Sequence, residues 1–166
     1  MGTRSTLLIK NEQGTPILKM YRQFDGYFFG MGAEIIEFIR HGKMVDGYPS
    51  NAKMGECFNG MGELACQLIA HFKRPHKDYN NPKKKVQTVG NFYIVPLDER
   101  NESFHYELGI RNGELYLTCD GYEVRDGYPG EGVRGVFELY PLTEENVILT
   151  KSSLIPEKKK GKVKKS

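Results

Sequence analysis

The dipeptide Asn112-Gly113 lies between two runs in which apolar and polar residues alternate, and it constrains the fold of this chain most. Asn-Gly suits a two-residue hairpin turn, because both central positions of that turn take positive φ. Folding about it sets Ile110 opposite Leu115, Leu108 opposite Leu117 and Tyr106 opposite Cys119. All six fall on one face, so pattern and turn select the same register. A sheet with one apolar face needs a second layer to cover it.

Two helical stretches supply that layer. Residues 33–41 place Ile35, Ile36 and Ile39 on one stripe. Met61, Leu64, Ala65, Leu68, Ile69 and Phe72 recur at the spacing of a helix packed by one side. Asn59 or Gly60 is expected to cap this second helix, Glu63 to complement its dipole and Pro75 to limit it. Residues 5–9 and 16–24 read as another hairpin, about residues 11–14. Arg22 breaks the apolar series there, so it must snorkel to the edge or meet an acid. Shorter strands are expected near 92–95, 122–125, 134–140 and 147–150. The sum is a single α+β domain over 1–155: a mainly antiparallel sheet with two helices packed side by side on one face.

Residues 156–166 are a different kind of chain. Within 157–166 six lysines oppose one glutamate, leaving +5, so the preceding residues carry −2 of the overall +3. A segment with almost no apolar residues cannot bury a core and is expected to form a flexible tail. A second basic segment, 73–85, carries Lys73, Arg74, Lys77, Lys83, Lys84 and Lys85 against Asp78. Two basic segments on an acidic body suggest electrostatic contact with a polyanion. No run approaches the ~20 apolar residues that cross a bilayer, and the N-terminus lacks the apolar region of a secretory signal. The expectation is a soluble protein that is not secreted and has no membrane partner. Cys57, Cys66 and Cys119 are odd in number and match no metal spacing, which predicts free thiols in a reducing interior.

Several short motifs compete for a functional reading. Asp-Gly-Tyr occurs at 25–27, 46–48, 120–122 and 126–128, and its residue types favour turns, above all in the last two copies. Gly-Met-Gly precedes both helices, at 30–32 and 60–62; bare amides there could hold an anion, while close packing explains the glycines as well. The string GEGVRG at 130–135 precedes a strand and opens no helix, so it is no dinucleotide signal. Residues 1–6 fit a loose myristoylation pattern, but Thr6 already belongs to a strand. His41, His71, His76 and His105 form no metal pair and adjoin no nucleophile motif; His41 and His71 suit helix C-termini. Neither metal, cofactor nor catalytic residue is assigned. A candidate polar site gathers Arg4, Arg22, Gln23, Asp25, Tyr27 and Asn59, all close to the motif turns.

Gly2-Thr3-Arg4-Ser5, MYRQFDGY at 20–27 and FNGMGELACQLIAHFK at 58–73 carry a family resemblance. Together they resemble a family of small proteins of bacteria, phages and large DNA viruses with no assigned chemistry. With its lysine-rich tail the chain looks most like the marseillevirus-type giant-virus versions, which implies a virion component, located in the virion or the host-cell interior. Relatives more often carry Pro after Asp-Gly-Tyr, where this chain has Phe28.

Three functions follow as expectations. The first is a non-enzymatic virion protein contacting nucleic acid without sequence preference through Lys83, Lys84, Lys85, Lys158, Lys159, Lys160, Lys162, Lys164 and Lys165. The second is a small enzyme or nucleotide-binding module built on the cluster around Arg22, Asp25 and Asn59. The third is an assembly protein that forms homo-oligomers through its strand edges.

Overall fold

The computed structural model describes residues 2–47, 49, 51–78, 80–87, 90–100, 102–122 and 133–150. The tail and its six lysines lie outside the described residues, as does the Asp-Gly-Tyr copy at 126–128. In chain order the elements are β1 (Ser5–Lys10), β2 (Pro16–Arg22), a π-helical turn (Phe28–Gly32) running into α1 (Ala33–Ile39), β3 (Lys43–Met44), β4 (Cys57–Phe58), α2 (Gly60–Phe72), β5 (His76–Lys77), β6 (Lys85–Val86), β7 (Phe92–Ile94), β8 (Phe104–Arg111), β9 (Glu114–Tyr122), β10 (Arg134–Tyr140) and α3 (Glu144–Thr150).

Six strands form one sheet in the order β10-β9-β8-β1-β2-β7. Every pairing in it is antiparallel except β1 with β8, which is parallel. The Asn112-Gly113 turn has positive φ at both residues (52° and 77°), and the expected register is observed, Ile110 facing Leu115, Leu108 facing Leu117 and Tyr106 facing Cys119. Pairing β1 with β8 sets Leu7 beside Tyr106 and Ile9 beside Leu108, which extends the apolar face across the sheet. The two helices cover that face. Ile35, Ile36 and Ile39 of α1, and Met61, Leu64 and Leu68 of α2, join Leu7, Ile9, Tyr106 and Leu108 in one buried core.

The β1–β2 turn does two jobs. Asn11 Oδ1 accepts the amides of Gln13 (3.0 Å) and Thr15 (2.8 Å), which fixes the turn. Its neighbour Glu12 reaches α2, where Oε1 accepts the Met61 amide at 2.6 Å. The cap of α2 therefore comes from a distant loop. Asn59, expected to cap, makes no side-chain cap bond; its own amide donates to Glu63 Oε2 at 3.3 Å. The bond to the Met61 amide is the main reason that the Glu12 carboxyl titrates below its ordinary value.

Two other expectations are corrected. Residues 147–150 are helical, as part of α3. Thr143 Oγ1 accepts the Asn146 amide at 3.2 Å, and Glu144 and Glu145 occupy the first turn; this start signal overrides the strand preference of Val147 and Ile148. Asp120-Gly121-Tyr122 is no turn either, since all three residues pair within β9. Gly121 is small because Phe104 lies against it: a Cβ there would stand 2.3 Å from the ring. The three cysteines are free. Among the described residues, no helix is long and apolar enough to cross a membrane.

Candidate functional site

Residues 20–34 bring polar groups to one end of the sheet. Arg22, at the end of β2, is only 8% exposed yet carries a full charge. Such a group must be paired. Its Nε donates to the Phe24 carbonyl at 2.6 Å, NH1 meets Glu34 Oε2 at 2.8 Å, and the guanidinium lies 5.0 Å from the centre of the Phe92 ring. Glu34, in the first turn of α1, also faces His71 Nε2 at 3.5 Å and Arg74 at 3.4 Å. Burial alone would raise the Glu34 pKa, but His71 and Arg22 outweigh it and hold the carboxyl down at about 2. Glu34 is thus a fixed anion joining β2, α1 and the end of α2. A group this acidic is unsuited to proton donation near neutral pH.

The six residues of the expected polar site separate. Arg22 turns to Glu34. Asp25, left-handed at φ 56°, accepts the Tyr27 hydroxyl at 3.0 Å. Gln23 accepts the Tyr21 hydroxyl. Arg4 is exposed. Asn59 accepts the Gly47 amide at 3.1 Å, across to another loop. The glycines of the 26–32 segment are explained by packing. The Gly26 amide donates to the Thr3 carbonyl at 2.8 Å, its carbonyl accepts the buried Tyr106 hydroxyl at 2.7 Å, and a Cβ on Gly30 would meet the Asp25 carbonyl at 2.1 Å. In the second Gly-Met-Gly copy, the position an anion would take at the Met61 amide is filled by Glu12.

Beyond Glu34 opens a cleft of about 640 Å³ where α1, residues 54–56 and the end of α2 meet. Phe38, Met54 and Ala70 line it with apolar surface, beside the polar Glu34, Glu37, Glu56, His41, His71 and Arg74. The sequence offered each of these residues separately but nothing that joined them.

The opposite face of the sheet carries a smaller recess of about 240 Å³. There Thr6 Oγ1 and His105 Nδ1 share a hydrogen bond of 2.9 Å. Burial pushes the His105 pKa down, with Lys19 acting in the same direction. Lys19 itself is nearly buried; its ammonium donates to the carbonyls of Leu97 and Glu99 and so fastens the 95–100 loop across the sheet. Thr6 is fully buried and Lys19 is engaged, so neither presents a nucleophile to solvent.

The basic segment 73–85 leaves the end of α2 as an exposed hairpin. β5 and β6 pair through His76–Val86 and Lys77–Lys85. Its turn is held by short-range bonds: Asp78 Oδ1 accepts the Asn80 amide (2.8 Å), Asn81 Oδ1 accepts the Lys83 amide (3.2 Å), and the Asp78 amide donates to the Lys84 carbonyl (2.9 Å). Lys77, Lys83, Lys84 and Lys85 are exposed, and among the described residues no acidic side chain pairs with them. No group of histidine, cysteine and acidic residues suited to a metal ion occurs among the described residues. No family model, curated protein or solved structure matches the chain.

Proposed function

We propose that this is a non-enzymatic nucleic-acid-binding protein that holds the phosphate backbone without reading sequence. The observation that carries the reading is the 73–85 hairpin. It presents Lys77, Lys83, Lys84 and Lys85 to solvent on a hairpin held by strand pairing and by the Asp78 and Asn81 side chains. Lysines held this way neutralise phosphates and release condensed counterions on contact. The tail lysines Lys158, Lys159, Lys160, Lys162, Lys164 and Lys165 act as a second contact of the same kind. Packaged genome inside a virion, the setting implied by the giant-virus resemblance, is a polyanion such a surface suits. The enzyme reading loses support because Arg22, Gln23, Asp25 and Tyr27 spend their polar groups on their own chain.

The test is fluorescence anisotropy of the full chain with DNA duplexes of unrelated sequence over a salt series. Affinities that agree between sequences and fall linearly in log–log form, with roughly −0.9 per phosphate neutralised, are expected. A strong preference for one sequence, or affinity indifferent to salt, contradicts the proposal.

A further inference from the structure

The two edges of the six-stranded sheet are unlike. β7 closes one with three residues, and Pro96 soon follows it. β10 closes the other with seven, and among the described residues it pairs with β9 alone. A free strand edge presents amides and carbonyls as a template for another strand. The register tells which groups β10 presents. Arg111 and Glu114 flank the two-residue turn and form a hydrogen-bonded pair, and such pairs recur at every second residue. Glu114, Tyr116, Thr118 and Asp120 therefore bond toward β8, and Leu117, Cys119 and Gly121 toward β10. Gly121 faces Gly135 and Cys119 faces Phe137, so Gly135 and Phe137 bond to β9. Arg134, Val136 and Glu138 turn their amides and carbonyls outward. Their side chains are exposed too, and Val136, at 73%, is the most exposed large apolar residue among the described ones. The bulge in β10 lies between Glu138 and Tyr140, beyond this stretch.

We propose that this edge is taken by a second copy of β10, antiparallel about a two-fold axis through Val136, so that two sheets join into one. Any strand could meet the hydrogen bonds of the edge. The spacing of Arg134, Val136 and Glu138, however, complements itself when reversed, and that selects another copy of the chain. Centred on Val136, the pairing sets Arg134 opposite Glu138 of the second copy at both ends, with Val136 against its counterpart. Slipped toward either end, it sets Val136 opposite a charge instead. Within one chain Arg134 already meets Asp120 at 3.4 Å through Nε, and Glu138 meets Arg111 at 2.9 Å through Oε1. The joint extends these pairs rather than breaking them. The row then runs from Asp120 and Arg134 to Glu138 and Arg111 of the second copy, with signs alternating. Exposed ion pairs add little affinity, so the charges choose the register. About six main-chain hydrogen bonds and the burial of Val136 hold the joint. The pairing does not depend on the nucleic-acid reading.

The experiment is sedimentation velocity of the full chain at low salt, without nucleic acid, from micromolar to near-millimolar concentration. A reversible dimer is expected. Val136→Pro removes the outward amide at the centre of the joint and spares the bonds to β9, a change that edge strands tolerate. It should abolish the dimer. Two charge variants read the register itself. Arg134→Glu and Glu138→Arg each place like charges opposite one another in a homodimer, and each should weaken association roughly tenfold. An equal mixture of the two should associate again, because the two chains then carry opposite signs at both positions. This arm decides the question even where Val136→Pro disturbs folding. A chain monomeric throughout, a dimer that survives Val136→Pro in a folded protein, or a mixture that associates no better than its components would overturn the pairing.

Discussion

Two hairpins in this molecule do opposite things with the same backbone motif. β8 and β9 are eight and nine residues long, and Phe104, Tyr106, Leu108, Leu117 and Cys119 on their inward face are buried in the core, with Ile110 and Leu115 partly buried beside the turn. β5 and β6 contribute two residues each and bury almost nothing. The first hairpin is fixed by apolar surface removed from water, roughly 25 cal/mol per Å². The second is fixed by its short strand pairing, by the turn bonds of Asp78 and Asn81, and by Gln87, whose side chain donates to the Lys73 carbonyl at 2.6 Å. Its lysines make no contribution to the core and remain available to a partner. A long buried hairpin organises the fold, whereas a short charged one presents chemistry.

The largest effect expected from this contrast is on the long hairpin. Leu108 is fully buried opposite Leu117, and Leu108→Ala should cost about 2–5 kcal/mol in chemical denaturation. A change within error would mean that the β8–β9 face is not core.

Next comes the charge network that ties β2 to both helices. Glu34→Gln keeps the shape and removes the anion facing Arg22, His71 and Arg74, for a loss of about 1–3 kcal/mol near neutral pH. The sign of the pH dependence follows from the depressed pKa. Glu34 adds stability above its ordinary value of 4.5, and the contribution fades as pH falls toward about 2. Urea denaturation between those limits should show a steeper acid loss in the parent than in Glu34→Gln. Parallel curves would assign the acid sensitivity elsewhere.

A smaller effect is expected where a turn reaches across to a helix. Glu12→Ala leaves the β1–β2 hairpin intact but removes the acceptor of the Met61 amide. The cost should be about 0.5–2 kcal/mol, that of a lost N-cap, with slower amide exchange no longer seen at the start of α2. Asn59→Ala should matter less, since Asn59 does not cap.

The two hairpins also differ in how far they could be foreseen. In β8–β9 the alternation, the Asn-Gly turn and the burial agree, so the register is legible before any coordinates. The apolar stripes of α1 and α2 are legible for the same reason. Arg22 announced a need for an acid, but the sequence could not choose Glu34 over the nearer Asp25, because that choice depends on how α1 docks. The same holds for Glu12, whose partner lies 49 positions away. Residues 147–150 misled through their β-branched side chains, while the capping Thr143 and two acids ahead of them gave the better signal. The cleft was invisible, since its walls come from three separate segments. The basic hairpin was visible as charge but not as a shape.

Whether that shape is a binding surface can be measured directly. Lys83→Ala/Lys84→Ala/Lys85→Ala should shift stability by no more than about 0.5 kcal/mol, because all three side chains are exposed. The deciding comparison is the salt dependence of duplex binding for this variant and for the parent chain. The account predicts weaker binding and a log–log slope shallower by roughly 2–3 units, with no change in thermal stability. Identical slopes and affinities in the two proteins would contradict it.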